Sequence, residues 1–214
     1  MKNYDVIFIG GSLMASSTAF NLLSERPDLK ILMIEKDPTY KHAATPLALG
    51  GIRQQFTERT NIRMAKMSVE TFENFGEIME TKTFGKPNID LRQGGYLFLV
   101  NEDKWPTALE NAEIQRSEGV DIRLLSVSDL ETMLPETDLT GIVGGTVCPR
   151  EGVLDPASVL NGYLHKVKEI FRIVITYSAS FIARCKVPVP MENAIAYLQP
   201  IFPTTRISVS LAFS

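Results

Sequence analysis

The chain has 214 residues, 44% of them apolar, and a formal charge of −3. That length suits one domain, or one and a fraction, with enough apolar content for a core. The charge gives no reason to expect nucleic acid or an anionic membrane, both of which want a basic face. Two distant cysteines, Cys148 and Cys185, exclude a disulfide framework or a zinc spacing and are expected as buried, inert thiols of a reducing compartment.

Tyr4–Ile9 is a β-rich apolar run of the kind that a parallel sheet buries on both faces. Leu13–Ser24 carries helix-compatible residues until Pro27 and Asp28 stop it, and Lys30–Glu35, "KILMIE", is a second buried-type strand. Strand, glycine turn, helix and strand over residues 3–36 form a Rossmann-like βαβ unit with a right-handed crossover. Residues 36–56, "KDPTYKHAATPLALGGIRQQF", are irregular, punctuated by Pro38, Pro46 and Gly50–Gly51.

From Glu58 to Glu80, apolar residues at Ile62, Ala65, Val69, Phe72, Phe75 and Met79 follow steps of three and four, which predicts one amphipathic helix. Gly94–Val100 reads as a strand and Asn101–Gly119 as a helix, with Trp105–Pro106 at its start and Gly119 past its end. "VDIRLLS" is a short strand. Ser128 with Glu131 forms a capping box for a brief helix that ends at Pro135. "GIVGGTV" reads as a strand, and Asp155 with Pro156 opens a helix through Lys168. Alternating strands and helices give a mixed α/β and α+β class.

Beyond residue 170 the texture changes. Only Arg172, Arg184, Lys186, Glu192 and Arg206 are charged there, and Pro188, Pro190, Pro200 and Pro203 divide the stretch. It reads as an atypical tail over 171–214, either a hydrophobic segment packed on the main domain or one foreign to the preceding fold. The apolar run Val6–Ile9 is too short for a secretory core, and no run reaches the ~20 residues of a membrane span. The expectation is a soluble, cytoplasmic protein.

The first turn carries the most specific chemistry. In the dinucleotide fingerprint the first glycine makes the turn, the second admits the pyrophosphate, and the third lets helix and strand approach. Gly10, Ser12 and Ala15 occupy those places. Alanine is an accepted variant at the third. Serine at the second is a departure: its Cβ narrows the approach, while its hydroxyl is able to donate to a phosphate oxygen. Glu35 ends the second strand where an acid accepts adenosine ribose hydroxyls; a solvated strand-end glutamate is the alternative. Taken alone, the turn is equally open to an NAD-dependent dehydrogenase, although no Tyr–Lys or His–Asp pattern follows it.

In order, "GGSLMASSTAFNLL", "IEKD", "GGIRQQF", "GYLFLV" and "GVLDPASVLNGYLHK" resemble the N-terminal part of FAD-dependent oxidoreductases of the D-amino acid oxidase family. The resemblance covers about residues 3–169 and lies in the branch near sarcosine oxidase β-subunits and related amine dehydrogenases. It implies FAD as cofactor and oxidation of the C–N bond of a small amino acid or N-methyl amine, with hydride transfer to flavin. By resemblance, Gly10, Gly11, Ser12 and Ala15 hold the FAD pyrophosphate, and Glu35 with Lys36 the adenosine ribose. A flavin-contact loop spans 42–57, where Gly50, Gly51, Arg53 and Gln54 approach the ring, and a substrate domain begins over about 85–150.

Arg53 is the catalytic candidate, a permanent positive charge beside a flavin that turns anionic on reduction; a surface arginine is the alternative. Some relatives pair substrate carboxylate with a second arginine three residues on; this chain has Phe56 there, a departure that puts a carboxylate clamp from this loop in doubt. His42 and His165 match no family residue. Family chains continue well past the "LDP" helix, so the expectation is a truncated chain with an aberrant tail. Strands absent from it would come from a partner chain; otherwise it is a non-catalytic, nucleotide-binding remnant.

Overall fold

The computed structural model describes residues 4–170 and the backbone of 174–177. Strand β1 (Val6–Ile9), helix α1 (Leu13–Glu25) and strand β2 (Ile31–Glu35) form the βαβ unit. The strands pair in parallel from Val6↔Ile31 to Ile9↔Ile34. Every residue of β2 is buried, which accounts for its unbroken apolar run. Beneath it, Ala19 and Leu23 of α1 meet Ile31 and Met33 of β2 and Val167 from the last helix. Each large side chain so buried contributes roughly 1.5–3 kcal/mol.

A third strand, β9 (Val174–Tyr177), pairs in parallel with β2 from Leu32↔Val174 to Glu35↔Tyr177. It falls inside the stretch expected to stand apart as a tail. Its four residues, "VITY", are all β-branched or aromatic and so β-prone. The rest of that expected tail, residues 171–173 and 178–214 with Cys185, lies outside the described residues. Sheet order is β1–β2–β9, so among the described residues β1 has one neighbour and one open edge, with Ile9 66% exposed.

The long helix expected over Glu58–Glu80 is two. Helix α2 (Arg59–Glu73) ends at Asn74, whose N–H turns to the Phe72 carbonyl, and α3 (Phe75–Ile78) starts a new course. The break lets Phe75 enter the core edge-on to Tyr163, ring centroids 5.4 Å apart. Periodicity ran through it because both pieces bury residues in the same cluster, with Val69, Met79 and Val159.

Strands β5 (Tyr96–Asn101), β6 (Arg123–Leu125) and β7 (Ile142–Cys148) form an antiparallel sheet in the order β5–β7–β6. Between β5 and β6 runs α4 (Trp105–Ser117), preceded by a 3₁₀ turn that the Asn101 side chain caps at Lys104 N–H. The capping box of α5 (Val127–Met133) is Ser126 with Asp129, not Ser128 with Glu131. Ser126 leaves β6 with extended backbone, the geometry an N-cap needs, and the helix begins at the next residue.

Three two-residue strands form a connecting sheet in the order β3–β8–β4: β3 (Gly51–Ile52), β4 (Arg92–Gln93) and β8 (Gly152–Val153). They are too short to leave a periodic signal. Asp155 accepts from the Ala157 and Ser158 N–H groups, capping α6 (Pro156–Ile170) as its sequence predicts. No helix among the described residues is long and apolar enough to cross a membrane.

Candidate functional site

Gly10 closes β1 at φ +96° and donates its N–H to the Ile34 carbonyl at 2.7 Å. A Cβ there would touch nothing, so backbone conformation alone asks for glycine. Gly11 is buried. Its N–H donates to Glu35 Oε2 at 2.8 Å, and a Cβ would sit 3.2 Å from both Glu35 Cβ and the Tyr40 hydroxyl.

Ser12 takes the N-cap place of α1 with extended backbone, but its side chain makes no capping hydrogen bond. The Ser12 hydroxyl is buried and has no protein partner. No acidic residue occupies the first turn, so the helix end keeps its unsatisfied N–H groups and its partial positive charge. A buried donor beside a bare helix N-terminus suits an anion such as a phosphate. Ala15, at the third fingerprint position, packs on the cluster of Ala19, Leu23 and Met33. A methyl fills that contact.

Glu35 is 8% exposed and is tied to the turn itself. Besides Gly11, the N–H groups of Lys36 (2.8 Å) and Asp37 (3.0 Å) donate to its Oε1. Three donors on two oxygens leave roughly one lone-pair site for a ribose hydroxyl. The carboxylate therefore braces the turn before it contacts any ligand. Lys36 enters through its backbone, its side chain being exposed.

The second expected segment is built differently. Gly50 has φ +75°, and a Cβ there would collide with the Leu154 carbonyl; one at Gly51 would strike the Tyr96 hydroxyl. Gly50 is required by the protein's own backbone, whereas a side chain at Gly51 would need the Tyr96 ring to shift. Arg53 emerges from β3 exposed, its guanidinium 4.9 Å from the Phe56 ring centroid and 5.6 Å from that of Phe98. Its planar, weakly hydrated cation suits such a double aromatic shelf. Beside it a groove of about 620 Å³ is lined by Gly51, Arg53, Phe56, Asn61, Met64 and Tyr96 among others. Leu13 at the head of α1 packs on the cluster that holds Ile52.

Gln54 does not face the groove. It is 1% exposed, and its side-chain amide points at Cys148 Sγ, 3.5 Å away. Burial lifts the Cys148 thiol to about 11, leaving it protonated and inert. The Gln54 and Gln55 N–H groups both donate to Oε1 of Glu151, the latter at 2.8 Å. The Gln55 side chain donates to Glu151 Oε2 (2.7 Å) and to the Tyr96 carbonyl (3.0 Å), and accepts from the Thr146 hydroxyl (2.7 Å). Glu151 is fully buried. Burial pushes its carboxyl upward, opposed by the donors from Gln54 and Gln55 and by the Arg53 charge.

Sequence reading missed Gln55, Thr146, Glu151 and Tyr40. Glu151 sits in "CPREGV" beside charged Arg150, and nothing in that string separates the buried acid from the exposed one's partner. His42 is exposed, and His165 stacks on Phe84 with centroids 3.7 Å apart. Among the described residues no cluster of histidine, cysteine or acids is able to hold a metal.

Parallel βαβ unit, bare helix end and strand-end acid define a dinucleotide-binding α/β protein. The chain belongs to the FAD-dependent oxidoreductase family: the model described as "DAO: FAD dependent oxidoreductase" matches residues 5–174. FAD is the cofactor of that family, and the geometry around Ser12 fits its pyrophosphate.

Among curated proteins, FAD-dependent oxidoreductase domain-containing protein 1 of Xenopus laevis is 33% identical over 166 residues, 76% of this chain and 33% of the relative. The Mus musculus protein of that name is 30% identical, over 78% of this chain and 35% of its own length. The chain thus spans about a third of the curated relatives it matches. Among solved structures, L-proline dehydrogenase from P. horikoshii aligns with a TM-score of 0.68 at 25% identity, covering 82% of this chain and 44% of that one. Glycine oxidase from Geobacillus kaustophilus aligns with a TM-score of 0.65 at 18% identity, covering 81% and 46%.

Proposed function

We propose that the chain is the flavin-holding part of an oxidoreductase that oxidises the C–N bond of a small amine or amino acid. The observation that carries its cofactor half is the buried Ser12 hydroxyl, unpartnered at the bare N-terminus of α1. Gly10, Gly11 and Ser12 hold the FAD pyrophosphate, Ala15 sets the helix against the sheet, and Glu35 with the Lys36 backbone offers its remaining acceptor to the ribose. Bound FAD supplies a hydride acceptor, chemistry no side chain provides. Arg53, fixed over Phe56 and Phe98, places a permanent cation at the rim of the groove where an anionic group is to be stabilised. Met64, Phe72 and Tyr96 form part of the wall of the groove beside that charge.

The substrate class is supported by the printed activities of the aligned structures, L-proline dehydrogenase and glycine oxidase. The sarcosine oxidase-like branch is the finer form of this reading, and the cysteines support a cytoplasmic setting. Among the described residues β1 keeps an open edge, which on this reading a further strand from a partner chain covers. A non-catalytic, nucleotide-binding remnant is the competing reading.

The test is to purify the 214-residue chain, add FAD, gel-filter it and record the visible spectrum, then screen small amines for bleaching. Retained flavin bands that bleach with a secondary or primary amino acid are expected. Retained bands that no amine bleaches leave the remnant reading, and a colourless protein overturns both halves of the proposal.

A further inference from the structure

We infer that Glu151 is a positioning residue that aims Arg53, a role resting on the reading of Arg53 as the cation beside the flavin. The antiparallel pairing Gly51↔Val153, Ile52↔Gly152 ends at the residues that precede Arg53 and follow Glu151. Along that edge Ile52 and Gln54 turn inward and Arg53 outward. The Glu151 carboxylate accepts the two N–H groups that follow Arg53, so the peptide plane leaving Arg53 is fixed by a group 97 residues away in sequence. Its other oxygen takes the Gln55 amide, which also grips the Tyr96 carbonyl and the Thr146 hydroxyl of the antiparallel sheet. One carboxylate thus ties the Arg53 segment to the sheet that carries Phe98, the second ring of the guanidinium's shelf.

The backbone of Glu151 is itself held: its N–H donates to the Cys148 carbonyl at 3.1 Å and its carbonyl accepts from Gly95 at 2.9 Å. Stability alone does not account for the residue. A fully buried carboxylate generally costs more than an apolar side chain of its size, and what it supplies in return is direction. All three groups that point at it are donors, an arrangement that an acceptor-only carboxylate satisfies completely. A glutamine satisfies it in part. Its amide nitrogen would face the Gln55 amide, which flips toward Thr146 and abandons the Tyr96 carbonyl.

Trypsin reads this directly, because the Arg53–Gln54 bond carries one of the clamped N–H groups. The full chain and its Glu151→Leu and Glu151→Gln variants are digested briefly and cut sites followed by mass spectrometry. Cleavage after Arg53 should rise about tenfold in Glu151→Leu, and less in Glu151→Gln, relative to cleavage after Lys41 and Lys104. An unchanged Arg53 cut, or a rise shared equally by all sites, overturns the inference. Should Glu151→Leu fail to fold, Gln55→Met removes only the side-chain arm and should raise the Arg53 cut two- to threefold.

The FAD-loaded chain gives the second readout. Glu151→Gln and Arg53→Ala should perturb the flavin bands alike, and the double variant should add nothing to Arg53→Ala. Independent perturbations overturn the inference. A chain that retains no FAD overturns the functional reading above, and the digestion then decides the Glu151 clamp separately.

Discussion

The two glycine pairs of this chain, Gly10–Gly11 and Gly50–Gly51, look alike in sequence and differ in what surrounds them. At Gly10 a side chain would meet empty space; at Gly50 it would meet the Leu154 backbone. The first turn ends in a buried hydroxyl and free helix N–H groups with no protein partner. The second is consumed by the fold, its carbonyl accepting from Leu154 N–H at 3.0 Å. Gly10 therefore answers to a left-handed turn alone, and Gly50 also to a crossing of the chain with itself. What the second segment offers a ligand is the exposed Arg53 guanidinium, held by side chains rather than by bare backbone.

The largest effect should separate the pairs. Gly50→Ala combines the strain of a left-handed conformation with a backbone collision and should destabilise the chain by roughly 3 kcal/mol or more. Gly10→Ala carries only the conformational strain, about 1–2 kcal/mol. Urea denaturation checks both, and equal losses would break the contrast. Next comes Glu35→Ala, which strips the Gly11, Lys36 and Asp37 N–H groups of their common acceptor. It should cost about 2 kcal/mol of stability and release FAD in an equilibrium titration. Loss of FAD binding with unchanged stability would mean that Glu35 serves the ribose and not the turn.

Ser12→Ala should move two quantities in opposite directions. Deleting a buried hydroxyl without a partner relieves about 1 kcal/mol in the chain alone. Losing a donor to a charged phosphate should weaken FAD by roughly tenfold. A thermal melt and an FAD titration of the same variant check the pair. A melt that falls would show that the hydroxyl already serves the fold.

Legibility followed the range of the interactions. The βαβ unit was readable because helix and strand periods, a glycine turn and a strand-end acid all lie within residues 3–36, and the structure returns each element there. Asp155 and Pro156 were readable for the same reason: a cap is a local device. The roles of Gly50 and Gly51 were not, since they depend on Leu154 and Tyr96, whose proximity only the connecting sheet creates. Glu151 was invisible because its partners Gln54 and Gln55 lie almost half the chain away and leave no period. The break at Asn74 was hidden by a pattern that continues across it, both halves burying apolar residues in one cluster.

The smallest predicted effect tests a contact that belongs to neither glycine pair and should leave both unaltered. Glu118, at the end of α4, accepts from Arg59 at 2.6 Å and from Arg63 at 2.6 and 3.0 Å. Hydrogen bonds from these two arginines, with Arg63 the stronger influence, hold its carboxyl down from the ordinary 4.5 to about 2. Because the folded chain binds this proton less readily than the unfolded one, the contact stabilises α2 against α4 fully above pH 4.5. Its contribution is lost as pH falls toward 2. Both arginines are exposed, so added salt should weaken the pair. Urea midpoints of Glu118→Gln and the parent chain should differ at pH 7 and converge between pH 4.5 and pH 2, with FAD retention unchanged at neutral pH. A difference that persists at the acid end would place the contact's strength in packing of the glutamate stem and not in its charge.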